Sequence, residues 1–235
     1  MNIEPIAFFR SPFTTKFGIP RQSGVVASLP GRIEFVAAYR RPEAVRGLAG
    51  FDYLWLIWGF SASQFPEGEG RGSALTVRPP RLGGNERVGV FASRSPFRPN
   101  GLGLSAVRIE RVEADGNISV CGADLMDGTP IYDVKPYVAY ADAHPEAASG
   151  FVDQREWQPL EVEFAPEAEG ALTAEERQLL AEVLRQDPRP HYHRHPDRIY
   201  GMPFGGLDVR FRVDSSRVKV LSIIKIFAKN GKKWL

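Results

Sequence analysis

Along the first 140 residues, short apolar runs are broken every few positions by Gly, Pro or Asn. The pattern predicts strands over Ile3–Arg10, Gly31–Phe35, Phe51–Phe60, Arg87–Ala92, Leu104–Arg111, Ile118–Ala123 and Ile131–Val134. No helical period persists there for three turns, although Arg41–Gly47 predicts one short helix. Asp115-Gly116, between two of the runs, is a hairpin turn. Many short strands joined by glycine turns point to an antiparallel barrel or sandwich, and closure into a barrel hides the edges.

The pattern changes after Tyr140. Asp142 to Gly170 is acidic and rich in Pro, Ala and Gly, as an exposed linker is, with one strand-like piece at Leu160–Phe164. A helix follows: Thr173 as N-cap with Glu176 three residues on makes a capping box, Leu179, Leu180, Val183 and Leu184 form one apolar face, and Asp187-Pro188 ends it. Val209–Val213, a turn at Asp214-Ser215-Ser216 and Val218–Phe227 read as a hairpin. The chain is therefore expected to be mainly β, with an antiparallel β-barrel domain and acidic linker over 1–165 and a small basic α+β domain over 166–235.

Charge sharpens that division. The net charge of +2 conceals 12 Lys and Arg against 4 Asp and Glu over 185–235, and 2 against 11 over 140–184. A basic C-terminal segment attracts polyanions with salt-dependent affinity, and Arg210 and Arg212 share the strand face opposite Val209, Phe211 and Val213. A solvated basic face explains the same charges equally well. The longest apolar run, Tyr53–Phe60, is too short to span a bilayer, and the N-terminus lacks the pattern of a secretory leader, so a cytoplasmic protein with no membrane partner is expected. Cys121 excludes an internal disulfide and, within an apolar strand, reads as a buried inert thiol.

Gly101-x-Gly103-x-x-Ala106 satisfies a dinucleotide-binding fingerprint, but Val107, Ile109 and Val112 continue as a strand where that fold requires a helix, so a Rossmann site is excluded. Four loops carry charges that turn geometry does not demand: Gly18-Ile19-Pro20-Arg21-Gln22, Arg78–Asn85, the stretch with Arg94, Arg98 and Asn100, and Asp124–Pro130 leading to Tyr132–Tyr137. His191, His193 and His195 alternate in a Pro-rich loop whose spacing fits neither usual zinc pattern, so no metal is expected.

Pro20-Arg21-Gln22, Val77–Asn85, Gly89–Ser95 with Phe97-Arg98-Pro99-Asn100, and Asp127-Gly128-Thr129-Pro130 with Asp133–Tyr137 resemble the TrmO (TsaA-like, YaeB) family of S-adenosylmethionine-dependent tRNA methyltransferases. The resemblance continues through Gln186–Pro190 and Val209–Val213. It implies a β-barrel methyltransferase domain, a homodimer, S-adenosylmethionine as cofactor, and methylation of N6 in the threonylcarbamoyladenosine beside the anticodon of threonine tRNA. Carried over by motif, it assigns cofactor contacts to Pro20, Arg21, Gln22, Arg94, Leu104, Asp124, Leu125, Met126 and Asp127. Where the family often has His-Gln after the tryptophan-rich strand, this chain has Ser61-Ala62, leaving only backbone contacts there. Asp127 is the candidate base for the departing N6 proton, and Arg98 or Lys135 the candidate partner of the threonyl carboxylate. The alternatives are a non-catalytic β-barrel RNA-binding module and a family member acting on a small molecule or another RNA.

Overall fold

The structure, a computed structural model, describes residues 2–61, 75–79, 86–153, 158–189, 195 and 197–226. Six strands close into an antiparallel barrel: β1 (Ala7–Arg10), β2 (Pro30–Phe35), β3 (Tyr53–Gly59), β6 (Leu102–Val112), β7 (Ile118–Cys121) and β8 (Pro130–Pro136). They follow one another round the barrel in the order β1, β2, β7, β6, β3, β8, and β8 returns to β1 through Ala7 opposite Ile131. Period-two alternation sends Phe9, Ile33, Leu54, Leu56, Val107, Val120 and Ile131 inward, where they form a continuous buried core. The Asp115-Gly116 turn joins β6 to β7 as expected.

Two local expectations fail. Only Val88–Gly89 of Arg87–Ala92 is a strand (β5), paired with β4 (Thr76–Val77); Val90–Ala92 is a single 3-10 turn. Val90 is anchored in the interior and its carbonyl accepts the Ser93 hydroxyl, which curls the chain and leaves Phe91 73% exposed. Arg41–Gly47 makes successive turns with bonds such as Ala44 N–H to Arg41 carbonyl rather than a helix. Pro42 near its start and Gly47 at its end leave too few residues for a helical nucleus.

A second sheet runs β10 (Tyr200–Phe204), β11 (Leu207–Asp214), β12 (Arg217–Lys225) and β9 (Glu161–Phe164). Its pairs are antiparallel except β12 with β9. Glu161–Phe164, expected inside the linker, is thus a strand of this sheet, so a division at 165/166 would cut between paired strands. The α-helices among the described residues are α1 (Ala139–Asp142), α2 (Pro166–Glu169) and α3 (Ala174–Leu184). Leu179, Leu180, Val183 and Leu184 seat α3 on the second core. Both halves of its capping box are formed, with Glu176 N–H donating to Thr173 Oγ1 at 3.2 Å and Thr173 N–H to Glu176 Oε2 at 2.7 Å. Thr173→Ala is expected to cost about 1 kcal/mol, read from the urea midpoint.

The second core recruits chain from the barrel domain. Phe13, Val26 and Leu29, from the connection between β1 and β2, are buried in it, with Phe17 and Ile19 packed alongside.

Candidate cofactor cleft

The end of β3, the start of β6 and three loops enclose a cleft of about 830 Å³. Its floor is Ile57, Trp58, Phe60, Gly103 and Leu104. Its first wall is Ile19-Pro20-Arg21-Gln22, its second runs from Phe91 to Asn100, and its third is Asp124-Leu125-Met126. The glycine-rich fingerprint therefore lies where β6 begins, and Gly103 faces Trp58 directly across the β3–β6 ladder. A Cβ at Gly103 would collide with the indole ring, so the tryptophan lies flat on backbone that only glycine supplies.

Hydrogen bonds tie the walls together. Arg94 Nη1 donates to Gln22 Oε1, linking the first wall to the second. Trp58 Nε1–H donates to Ser105 Oγ at 2.9 Å, and Ser105 donates to Asp124 Oδ1 at 2.6 Å. Dense packing around the Asp124 carboxyl pushes its pKa above the ordinary carboxylate value, against the opposing pull of the Ser105 bond, backbone N–H groups of Asp124 and Ser23, and the Arg94 charge. A carboxylate held at this disadvantage is a group that a cationic ligand would relieve.

Of the residues singled out from the sequence, Pro20, Arg21, Gln22, Ser61, Arg94, Arg98, Leu104, Asp124, Leu125 and Met126 line the cleft. Arg98 reaches it with Nη1 donating to the Ser93 carbonyl at 3.0 Å. Asp127 and Lys135 are not among the lining residues. Asp127 turns back to the barrel: Oδ1 accepts the Ser11 N–H at 3.1 Å, and Oδ2 lies 4.0 Å from Arg10. Lys135 is an exposed residue of β8, 3.2 Å from Asp133. Ala62, His191 and His193 lie outside the described residues. Trp58, Ser105 and Lys16 had not been anticipated; the usable signal was a serine at an inward-facing strand position, since a buried hydroxyl demands a partner. Cys121 is buried and its pKa is pushed up to about 11, chiefly by burial, so it stays a neutral thiol.

A closed antiparallel barrel with a charged, aromatic-floored cleft, and a second sheet whose core packs against the cleft's first wall, defines a β-barrel protein with a cleft of small-ligand size. The chain belongs to the tRNA-methyltransferase O family: residues 8–143 match its N-terminal domain and residues 157–226 its C-terminal domain. It is 39% identical to the tRNA (adenine(37)-N6)-methyltransferase of Escherichia coli (strain K12), over 94% of this chain and 97% of that one. It is 41% identical to a putative S-adenosylmethionine-dependent methyltransferase RcsF of Pseudomonas aeruginosa, over 89% of this chain and 91% of that protein. A crystal structure of TrmO from Pseudomonas aeruginosa superposes with a TM-score of 0.78 at 32% identity, covering 96% of this chain and 97% of that one.

Proposed function

We propose that this protein is an S-adenosylmethionine-dependent tRNA methyltransferase that methylates N6 of adenosine 37, acting on the threonylcarbamoyl-modified base of threonine tRNA. The observation that carries the reading is the meeting of Asp124, Arg94 and Gln22 around an aromatic and aliphatic floor in one cleft. The volume lies within the ~300–1,000 Å³ typical of small-ligand sites. The donor set also fits the cofactor: Asp124 suits ribose hydroxyls or an ammonium, Arg21 and Arg94 suit a carboxylate, and Ile57, Phe60 and Leu104 offer apolar contact. When bound, S-adenosylmethionine supplies an electrophilic methyl group on a sulfonium.

The chain's own residues then have three tasks. The floor formed by Trp58 and Phe60, with ring centroids 4.4 Å apart, excludes water and fixes the base of the cleft. The Gln22–Arg94 link holds two walls at a set separation, so that donor and acceptor meet in line. Asp127, engaged with Ser11 and Arg10, braces the third wall instead of reaching the reacting nitrogen. The cleft carboxylate is Asp124, and in this proposal it meets the cofactor's ammonium or ribose hydroxyls, while Asp127 takes no part in the proton transfer and the N6 proton passes to water.

Arg98 is assigned to the substrate's threonyl carboxylate because it lines the cleft, which Lys135 does not. Arg98→Ala is expected to lower kcat/KM about 10–100-fold on threonylcarbamoylated tRNA, with S-adenosylmethionine affinity unchanged. Equal losses on tRNA with and without the threonylcarbamoyl group would assign Arg98 to phosphate contact. A homodimer working in the cytoplasm completes the proposal; exposed Phe91 and Phe97 beside the cleft supply an apolar rim for a second copy. The deciding assay incubates the protein with S-adenosylmethionine and total tRNA from a strain lacking the activity, followed by nucleoside mass spectrometry. A new N6-methyl-threonylcarbamoyladenosine peak is expected. No product, together with no heat of S-adenosylmethionine binding, would leave an RNA-binding module.

A further inference from the structure

The connection between β1 and β2 has two occupied sides. Pro20, Arg21 and Gln22 form one wall of the cleft, while residues immediately before them are held by the C-terminal domain. Phe17 packs beside the stacked Tyr200–Phe211 pair, its ring centroid 6.3 Å from each and its plane within 18° of theirs, while the pair's own centroids are 5.5 Å apart. Gly18, at φ +91°, lies so close to the Met202 sulfur that no Cβ would fit. Phe13 packs on Phe204 at 5.1 Å, and Gly205 N–H donates to the Pro12 carbonyl at 2.9 Å. Ile19 belongs to both environments, lining the cleft and packing on the second core.

The barrel grips the same connection at other points. Gly24 N–H bonds the Gly122 carbonyl, and Asp127 N–H bonds the Phe13 carbonyl, each at 2.8 Å. The Phe13 bond carries the constraint to the cleft's third wall, because Asp127 directly follows Asp124-Leu125-Met126. A shift of β10 relative to the barrel therefore reaches two of the three walls through one stretch of chain.

We infer that the C-terminal sheet is a positioning element of the cofactor cleft, with Phe17 and Met202 as the positioning residues that fix Pro20–Gln22. The inference rests on the reading of the cleft as the S-adenosylmethionine site. Neither residue lines the cleft, so both act through the backbone of residues 18–22. The coupling is reciprocal: whatever steadies the first wall also steadies β10.

The test is calorimetric titration of the full-length protein with S-adenosylmethionine, at a temperature where every variant is folded. Phe17→Ala, at a half-buried position, and Met202→Ala, at a buried one, are each expected to raise Kd about 10-fold. Met202→Leu, which keeps the volume, should stay close to wild type. Val218→Ala serves as the comparison: it lies in the same core, but its neighbours across the sheet are Val213 and Val162 rather than the β1–β2 connection. It should lower the melting temperature and leave Kd unchanged. In hydrogen exchange, the ligand should slow the amides of Tyr200–Phe204 as well as those of residues 19–22. Wild-type Kd in both Phe17→Ala and Met202→Ala, or an equal loss in Val218→Ala, overturns the inference while the cleft reading stands. Absence of binding by the wild-type protein overturns both.

Discussion

Asp124→Asn is expected to weaken S-adenosylmethionine binding about 10–100-fold while raising the melting temperature at neutral pH, a pairing of opposite effects that few substitutions produce. The loss follows from removing the negative charge that faces the ligand's cationic groups inside a poorly solvated cleft. The gain follows from the direction of the Asp124 shift. Burial raises its folded-state pKa above the unfolded value, so the folded protein binds the extra proton between those two values. The contribution of Asp124 to stability is therefore greatest below the ordinary carboxylate range, falls as pH rises through the window up to the raised value, and is flat above it. Asparagine keeps the acceptor for Ser105 and has no charge to desolvate, so the variant lacks this decline. Ligand affinity moves the other way with pH. It is highest where Asp124 is ionised, falls as the solution is acidified through the apo-protein's titration, and is flatter in the variant. Melting curves and calorimetric titrations across the acid range measure both slopes. A variant that binds as tightly as wild type would remove Asp124 from the site.

The barrel was readable because its signal is local: β2 and β3 alternate buried and less buried positions through most of their six and seven residues. β10 escaped notice because Gly201 and Pro203 interrupt its apolar pattern, and an edge strand tolerates both. The strand at Glu161–Phe164 was visible, but its parallel partner lies 56 residues further on, and nothing local marks that pairing. The same limit hid the fate of the β1–β2 connection, whose Phe13, Phe17 and Ile19 look like loop residues until the C-terminal sheet is present to bury them. Motif resemblance singled out Pro20–Gln22, Arg94 and Asp124, and all of them line the candidate cleft. It did not separate Asp124 from Asp127, three residues apart on one loop. The difference is orientation: Ser11 and Arg10 draw Asp127 toward β1, while Ser105 draws Asp124 toward the cleft floor.

Gly103→Ala is the substitution expected to damage the cleft most for the fewest atoms added. The new methyl group would lie inside the Trp58 indole, against Cε2, Cζ2 and Cδ2. The ring has little freedom to yield: it is buried, edge-on to Phe60, and bonded through Nε1–H to Ser105. Moving it releases Ser105, the residue that holds the Asp124 carboxylate, so one methyl disturbs the floor and the charged wall together. Overpacking of this kind costs about 1–3 kcal/mol of stability. The functional loss should be larger, about 100-fold in kcat/KM, because sub-ångström misplacement of reacting groups is costly in a displacement that depends on alignment. A double-mutant cycle isolates the cause. Trp58→Leu alone should impair methylation by removing the floor and the Ser105 donor, yet add little further loss on top of Gly103→Ala, since the displaced ring has already lost that bond and its removal relieves the clash. Additive losses would mean that Gly103 acts through the backbone of β6 and not through the tryptophan.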